Sequence, residues 1–383
     1  MPGTAVNAED LFARYELYRV MRERAPVFHN EETRSWEVFG HTDVCRVLNE
    51  PGTFTSRILL PESQSPLNRT MIRHDEPRHR ALRGLVGHAF THGRISALES
   101  RIAALADDLL DTAVGRGRLD VVADFAIPLP LLMIAELLGV EPDRREDFKR
   151  WSDIVFASDL PDPDGHIRAG ITEMHDYFTE VIEQRRREPR DDLISGLVQA
   201  EMDGEPLAVD DLTAFCDLLL SAGSETMSNL IGNVVVCLDQ YPDVFERVRE
   251  DHALVPALIE ETLRYLSPVQ AAPRFTAVDV SLGGQLIPAG ALISPWVGSA
   301  NRDPERFAAP DTFDLDRDSG QHLTFGHGGH YCLGVHLARL QARVAITAML
   351  SRLPGPWRVT VDRLTSIVPP FLCGATELPI TWT

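Results

Sequence analysis

The sequence predicts a mainly α protein, a single helix-rich domain over residues 1–383 with small β-sheets. Three observations carry that expectation. Helical periodicity dominates the chain up to about residue 266. Strand-like alternation is confined to short runs bounded by turn residues. No internal repeat, low-complexity tract or flexible linker divides the chain.

Pro26–Asn30 and Ser35–Phe39 alternate around Glu-Glu-Thr-Arg and predict a hairpin. Apolar spacing predicts helices over Ile102–Val114 and Ile167–Arg186, and one long helix from Asp210 to Gln240. The most apolar run, Phe125–Val140, carries Pro128 and Pro130, is too short to span a bilayer, and reads as buried. Asp159–Gly165, rich in Pro and Asp, reads as a surface turn between helices. A second hairpin is expected at Val278–Leu282 and Gln285–Ile287, turned by Gly283-Gly284, with a further strand at Leu292–Val297. After Gly334 the pattern turns helical again, through Val335, Leu337, Leu340, Val344 and Ala345.

At 44% hydrophobic and 25% charged residues, the composition is that of a soluble globular protein. A net charge of −20 argues against nucleic acid or an anionic membrane as partner. Met1–Arg24 is polar and predicts neither signal peptide nor membrane anchor. Five scattered cysteines, an odd number, form no disulfide framework and point to a reducing cytoplasm. Lys149 is the only lysine, so nearly all positive charge is arginine.

Chemistry concentrates first in Phe325-Gly-His-Gly-Gly-His-Tyr-Cys-Leu-Gly334. Its glycines permit a tight loop that can press a cysteine against a flat ligand. Cys332 lies just before a predicted helix N-terminus, where the macrodipole and free N–H groups favour a thiolate. Such a thiolate suits haem iron, because it pushes electron density onto the metal. Two other readings compete: a buried core cysteine, and a zinc cluster using His322/His327 and His330/His336. The C-x-x-C pair that usually completes a zinc cluster is absent.

The long predicted helix carries Ala222-Gly-Ser-Glu-Thr226. A glycine in mid-helix costs roughly 1 kcal/mol relative to alanine and wants a reason. Small residues at Ala222 and Gly223 would let a bulky ligand approach the backbone. Thr226 can bond back to the Ala222 carbonyl and loosen the helix, and Glu225 sets a carboxylate beside that hydroxyl. An acid–alcohol pair is what stepwise proton delivery requires.

Both segments resemble the cytochrome P450 superfamily. The cysteine loop matches F-x-x-G-x-[HR]-x-C-x-G at Phe325, Gly328, His330, Cys332 and Gly334. The helix segment resembles [AG]-G-x-[DE]-T-[TS], departing only at Met227. The resemblance runs from about Asp10 to the C-terminus. It implies the P450 fold and haem b, with Cys332 as axial iron ligand and with Phe325, Gly326, Gly334 and Ala222 against the cofactor. His79, Arg83, Arg274 and His330 match the haem-propionate contacts, His79 and Arg83 lying in a segment like D-P-P-x-H-x-x-x-R with Glu76 in place of the first proline. Glu261 and Arg264 match the structural E-x-x-R pair, and Arg317 matches its later arginine; Glu260 is the alternative partner of Arg264 at i,i+4.

What the resemblance implies is a monooxygenase. O2 is cleaved, and one oxygen atom enters an apolar small molecule (terpenoid, polyketide or fatty-acid-like) by hydroxylation or epoxidation. Thr226 and Glu225 manage protons. Electrons come from ferredoxin and an NAD(P)H-dependent ferredoxin reductase. Separately from the resemblance, Arg73, Arg78 and Arg80 cluster on one early predicted helix of an otherwise acidic chain, and read either as a solvated arginine-rich face or as the docking patch for an acidic ferredoxin. The expected pocket walls are Ile58–Leu67, Leu218–Ala222, Val269–Ala272 and Pro370–Leu372. A peroxide-driven haem-thiolate enzyme is the alternative, though such enzymes usually lack the acid–threonine pair.

Overall fold

Apolar residues three and four apart close most of this chain into helices. The computed structural model describes residues 5, 6, 8–57, 66–140, 144–156, 162, 164–202, 204–360, 364, 365 and 371–382. In chain order the α-helices are α1 (Ala8–Arg24), α2 (His41–Asn49), α3 (Arg78–Gly87), α4 (His92–Ser96), α5 (Glu99–Val114), α6 (Pro128–Leu138) and α7 (Arg145–Phe156). They continue as α8 (His166–Arg187), α9 (Leu193–Val198), α10 (Val209–Gln240), α11 (Pro242–Glu250), α12 (Val255–Tyr265), α13 (Val297–Ala300) and α14 (Val335–Arg352). The three helices expected over Ile102–Val114, Ile167–Arg186 and Asp210–Gln240 are α5, α8 and α10, each slightly longer than its periodicity implied.

Residues group into two compact units that interleave along the sequence. One comprises Met1–Thr55, Ala97–Pro128 and Thr226–Thr383, the other Ser56–Ser96 and Leu129–Glu225. Helix α10 runs from one into the other, changing unit between Glu225 and Thr226.

In the first unit the expected hairpin pairs Val27–Asn30 with Ser35–Val38, antiparallel. Leu292–Pro295 adds in parallel beside Ser35–Val38, and Arg274–Thr276 and then Phe54–Thr55 complete a five-stranded sheet. The strand expected over Leu292–Val297 ends at Pro295, and Val297 already begins α13. Val280–Leu282 and Gln285–Ile287 pair as the second hairpin, with Gly283 and Gly284 both at positive φ. Val27, Val38, Val44, Phe54, Ile287 and Ile293 form a buried core under this sheet. Helix α14 packs along α5 and α12.

The same unit holds the network expected around Glu261. Arg264 donates to both Glu261 oxygens at 2.7 and 2.8 Å, and both side chains are wholly buried. Arg317 Nε reaches Glu261 Oε1 at 3.3 Å, and the Ser319 hydroxyl and Asp314 N–H also donate to this carboxylate. The remaining guanidinium N–H groups of Arg264 donate to the carbonyls of Asn301, Pro310 and Thr312. Glu260 points elsewhere. Arg264→Met is expected to destabilise the fold by about 3–5 kcal/mol, because it strips the guanidinium from a buried carboxylate and takes the Arg264 donors from the Asn301 and Pro310 carbonyls. Urea unfolding of the variant checks this.

In the second unit α7 packs on α8, and α8 on α9. Phe148, Trp151, Tyr177 and Phe178 interlock between the first two, with ring centroids 5.2–6.2 Å apart. Val121–Leu138 is an 18-residue apolar stretch, long enough by length and composition to cross a membrane, and two-thirds of it is buried. The stretch begins at Val121, ahead of Phe125, which corrects the expectation that this run is too short to span a bilayer. Its burial, rather than its length, marks it as core. The turn expected at Asp159–Gly165 falls largely outside the described residues.

Candidate active site

The cysteine loop is shaped by its glycines and by the helix behind it. Gly326 and Gly328 take φ of 78° and 71°, a region that side chains disfavour. Gly328 is doubly constrained: a Cβ there would lie 2.3 Å from Asn49 Oδ1, at the end of α2. Gly328–His330 forms one 3₁₀ turn, after which the Cys332 N–H donates back to the Phe325 carbonyl at 2.8 Å. That bond closes the loop and fixes where the thiol emerges. Cys332 is half-buried, three residues before the first residue of α14, whose N-cap Gly334 offers no side-chain cap. The leading N–H groups of α14 thus lack a side-chain acceptor from the cap, as a neighbouring thiolate requires.

Phe325 is almost fully buried beside Cys332, and the Arg339 guanidinium lies 4.9 Å above its ring. Arg339 is held in turn by Glu260, through a two-point contact at 2.6 and 2.8 Å. His322, weighed as a zinc ligand from the sequence, sits 3.3 Å from the same carboxylate. Burial alone would push Glu260 up, but the bonds from Arg339 and His322 win and hold it down at about 2. The pattern Glu260, His322 and Arg339 was invisible as a set, because its members come from α12, the loop and α14.

Of the cationic residues expected around a haem, His330 ends the 3₁₀ turn and Arg274 opens a sheet strand. Arg274 is half-buried and donates to the carbonyls of Ala272 and Pro273 at 3.3 and 2.9 Å. His79 and Arg83 lie one turn apart on α3, in the second unit, with His79 buried and its Nδ1 3.2 Å from Glu76 Oε1. Arg78 and Arg80 share α3, whereas Arg73 ends a separate 3₁₀ turn at Met71–Arg73.

On α10 the surroundings change sharply along one face. Leu219, Ala222, Gly223 and Thr226, spaced i, i+3, i+4 and i+7, are accessible, while every residue from Met227 to Leu238 is buried. A largely small-residue, accessible stripe inside an otherwise buried helix is a cradle suited to a flat ligand. Gly223 has a further reason to be glycine: a Cβ there would lie 2.7 Å from Ile134 Cδ1 of α6. Helix packing thus stands beside the ligand approach expected of Gly223. Glu225, beside Thr226, is pushed above its ordinary range by burial, with Lys149 opposing and Asp153 reinforcing the shift. A carboxyl so placed keeps its proton to higher pH than a surface glutamate.

The expected pocket walls fare unevenly. Ile58–Ser65 and Pro370 lie outside the described residues. Gln270, offered as a polar wall residue, is fully buried and bonded to Tyr15, Tyr18 and the Ser267 carbonyl. What remains accessible there is Val269, Ala272 and Phe371, all apolar.

These groups fit a haem. The first unit provides a soft sulfur on a hydrogen-bonded loop with the cationic Arg274 and His330, and the second provides His79, Arg83 and a helix face of small residues next to an acid.

A family model described as cytochrome P450 matches residues 146–354. The chain is 41% identical over 344 residues to cyclomarin C epoxidase CymV of Salinispora arenicola, covering 87% of each chain. It is 39% identical over 373 residues to the erythromycin C-12 hydroxylase of Saccharopolyspora erythraea, covering 95% of this chain and 91% of that one. Among solved structures, cytochrome P450 CYP109Q5 from Chondromyces apiculatus superposes with a TM-score of 0.89 at 38% identity, over 97% of this chain and 96% of that one. The glycine-shaped cysteine loop, the small-residue stripe of the unbroken helix α10 and these likenesses agree: the chain belongs to the cytochrome P450 family and is a cytochrome P450 monooxygenase.

Proposed function

We propose that this protein is a cytoplasmic, single-domain haem b monooxygenase that hydroxylates or epoxidises an apolar secondary metabolite. Its electrons come from ferredoxin and an NAD(P)H-dependent reductase. The observation that carries this reading is the closed loop of Cys332, with its thiol presented ahead of α14. When bound, the haem supplies O2 binding and O–O cleavage, which thiolate ligation favours.

The chain's own residues do the rest. Cys332 holds the iron, Phe325 shields the sulfur, and Gly326, Gly334 and Ala222 leave room for the ring. His79, Arg83, Arg274 and His330 hold its carboxylates by charge-assisted hydrogen bonds. Inserting one oxygen atom and releasing the other as water consumes two electrons and two protons. Glu225, whose carboxyl burial pushes above its ordinary range, and the Thr226 hydroxyl deliver those protons. Val269, Ala272 and Leu219 exclude water and accept an apolar substrate. Supporting the class of chemistry, the relatives above are named for an epoxidation and a hydroxylation.

Turnover under isotopically labelled O2, with ferredoxin, reductase and NAD(P)H, tests the proposal on a panel of macrolide, steroid and fatty-acid substrates. One labelled atom in the product and strict dependence on ferredoxin are expected. Equal turnover on hydrogen peroxide alone would replace the ferredoxin reading with the peroxide-driven one.

A further inference from the structure

Within the second unit, α10 buries a polar line that the reaction as described leaves unused. Asp217, Ser221 and Glu225 recur every four residues and so share one face of the helix. Asp217 is wholly enclosed and Ser221 nearly so. A buried carboxylate needs compensation, and here it comes from another helix. His175 of α8 places Nε2 2.7 Å from Asp217 Oδ2, while 34% of the imidazole side chain remains exposed. The pair therefore reaches from solvent to the interior. Asp217 Oδ1, also buried, has no hydrogen-bond partner among the described residues and is free to pass a proton onward.

Hydroxyl groups continue the line. Ser221 donates to the Asp217 carbonyl at 2.9 Å, and Ser224 donates to the Leu220 carbonyl at 2.7 Å. The Ser224 hydroxyl also meets that of Ser152, on α7, at 2.6 Å. Glu225 lies about 12 Å along the axis from Asp217, with the Ser221 and Ser224 hydroxyls on that stretch, and a relay over this span requires waters between them.

Charge favours a shared proton at the entrance. Burial alone would lower the His175 imidazole, but the bond and charge of Asp217, helped by Asp210 and Asp176, carry it above its ordinary value. Burial raises the Asp217 carboxyl, against the opposing pull of His175. Neighbouring Cys216 is kept a neutral thiol by burial and by Asp217. At the far end, Glu225 faces Lys149 and Asp153 of α7.

We propose that His175 and Asp217 are relay residues carrying protons from the α8 surface along the buried face of α10 to Glu225. The proposal rests on the reading of Glu225 as the proton-delivering acid. A proton from solvent binds His175 Nδ1 as Nε2–H gives its proton to Asp217 Oδ2. A proton leaves the Asp217 carboxyl through the hydroxyl and water line, and Glu225 gains one. Only O–H and N–H bonds change.

The test uses the haem-loaded, full-length enzyme with Asp217→Asn, His175→Gln, Glu225→Gln and the double variant Asp217→Asn/Glu225→Gln. Asp217→Asn is expected to lower kcat roughly three- to tenfold and enlarge the solvent isotope effect, with KM and the substrate-induced Soret shift unchanged. The double variant should be no slower than Glu225→Gln alone, since both interrupt one route. Independently of turnover, NMR titration of His175 should show its midpoint fall in Asp217→Asn. If Asp217→Asn does not fold, His175→Gln carries the same kinetic test. Unchanged kcat and isotope effect in the relay variants, with Glu225→Gln impaired, would overturn the relay and leave proton entry past α7. If Glu225→Gln is silent as well, the relay and the reading of Glu225 fall together.

Discussion

Cys332→Ser is expected to abolish the strongly red-shifted CO difference band of the reduced protein completely, and monooxygenase turnover with it. The loop itself should survive, because the bond that closes it runs from the Cys332 backbone N–H to the Phe325 carbonyl and involves no sulfur. Serine oxygen is a poor substitute for a thiolate, which alone pushes enough electron density to the metal to favour O–O cleavage. Cys332→His should move the band to the position of histidine-ligated haem rather than erase it. A wild-type band already at that position would remove the thiolate from the site. The other four free cysteines are separable in the same experiment: Cys216, Cys237 and Cys373 are buried and Cys45 lies on α2, so their serine variants should keep the red-shifted band.

The second large effect is on coupling. Thr226→Ala removes one hydroxyl from the accessible stripe of α10 and keeps the helix, since alanine is the best helix former. Haem content and the CO band should be unchanged, while product formed per NAD(P)H falls roughly tenfold or more and hydrogen peroxide rises to match. Glu225→Gln should instead slow turnover and remove a basic limb from the pH profile. The sign follows from burial: the carboxyl is held above its ordinary range, so its proton remains available to higher pH and is lost only as pH rises past that shifted value. Glutamine cannot titrate, so that limb disappears. Product yield, NAD(P)H consumption and peroxide, measured together, separate the two variants. Unchanged coupling in Thr226→Ala would remove this hydroxyl from the mechanism.

The parts of this protein written in short-range patterns were legible in the sequence. Apolar spacing defined α5, α8 and α10 to within a few residues, and Gly283-Gly284 located a hairpin. The loop around Cys332 was legible because positive-φ glycines and a following helix are local requirements. Glu261 and Arg264 could be paired from an i,i+3 spacing, and they do pair.

Residues whose partners lie far along the chain were decided only by the tertiary structure. Gly328 is held to glycine by its positive φ and by the close backbone of Asn49, whereas a Cβ at Gly223 would require the tip of Ile134 to shift. Glu260 serves Arg339 and His322 rather than Arg264. Gln270, polar and next to the expected pocket, turns inward to Tyr15 and Tyr18. His175 and Asp217, 42 residues apart, carry no motif at all, yet their side chains meet at 2.7 Å. Helix periods and turn residues act over three or four positions, so one sequence displays them. Which buried polar group meets which partner depends on how helices pack, and that is set by the whole core at once.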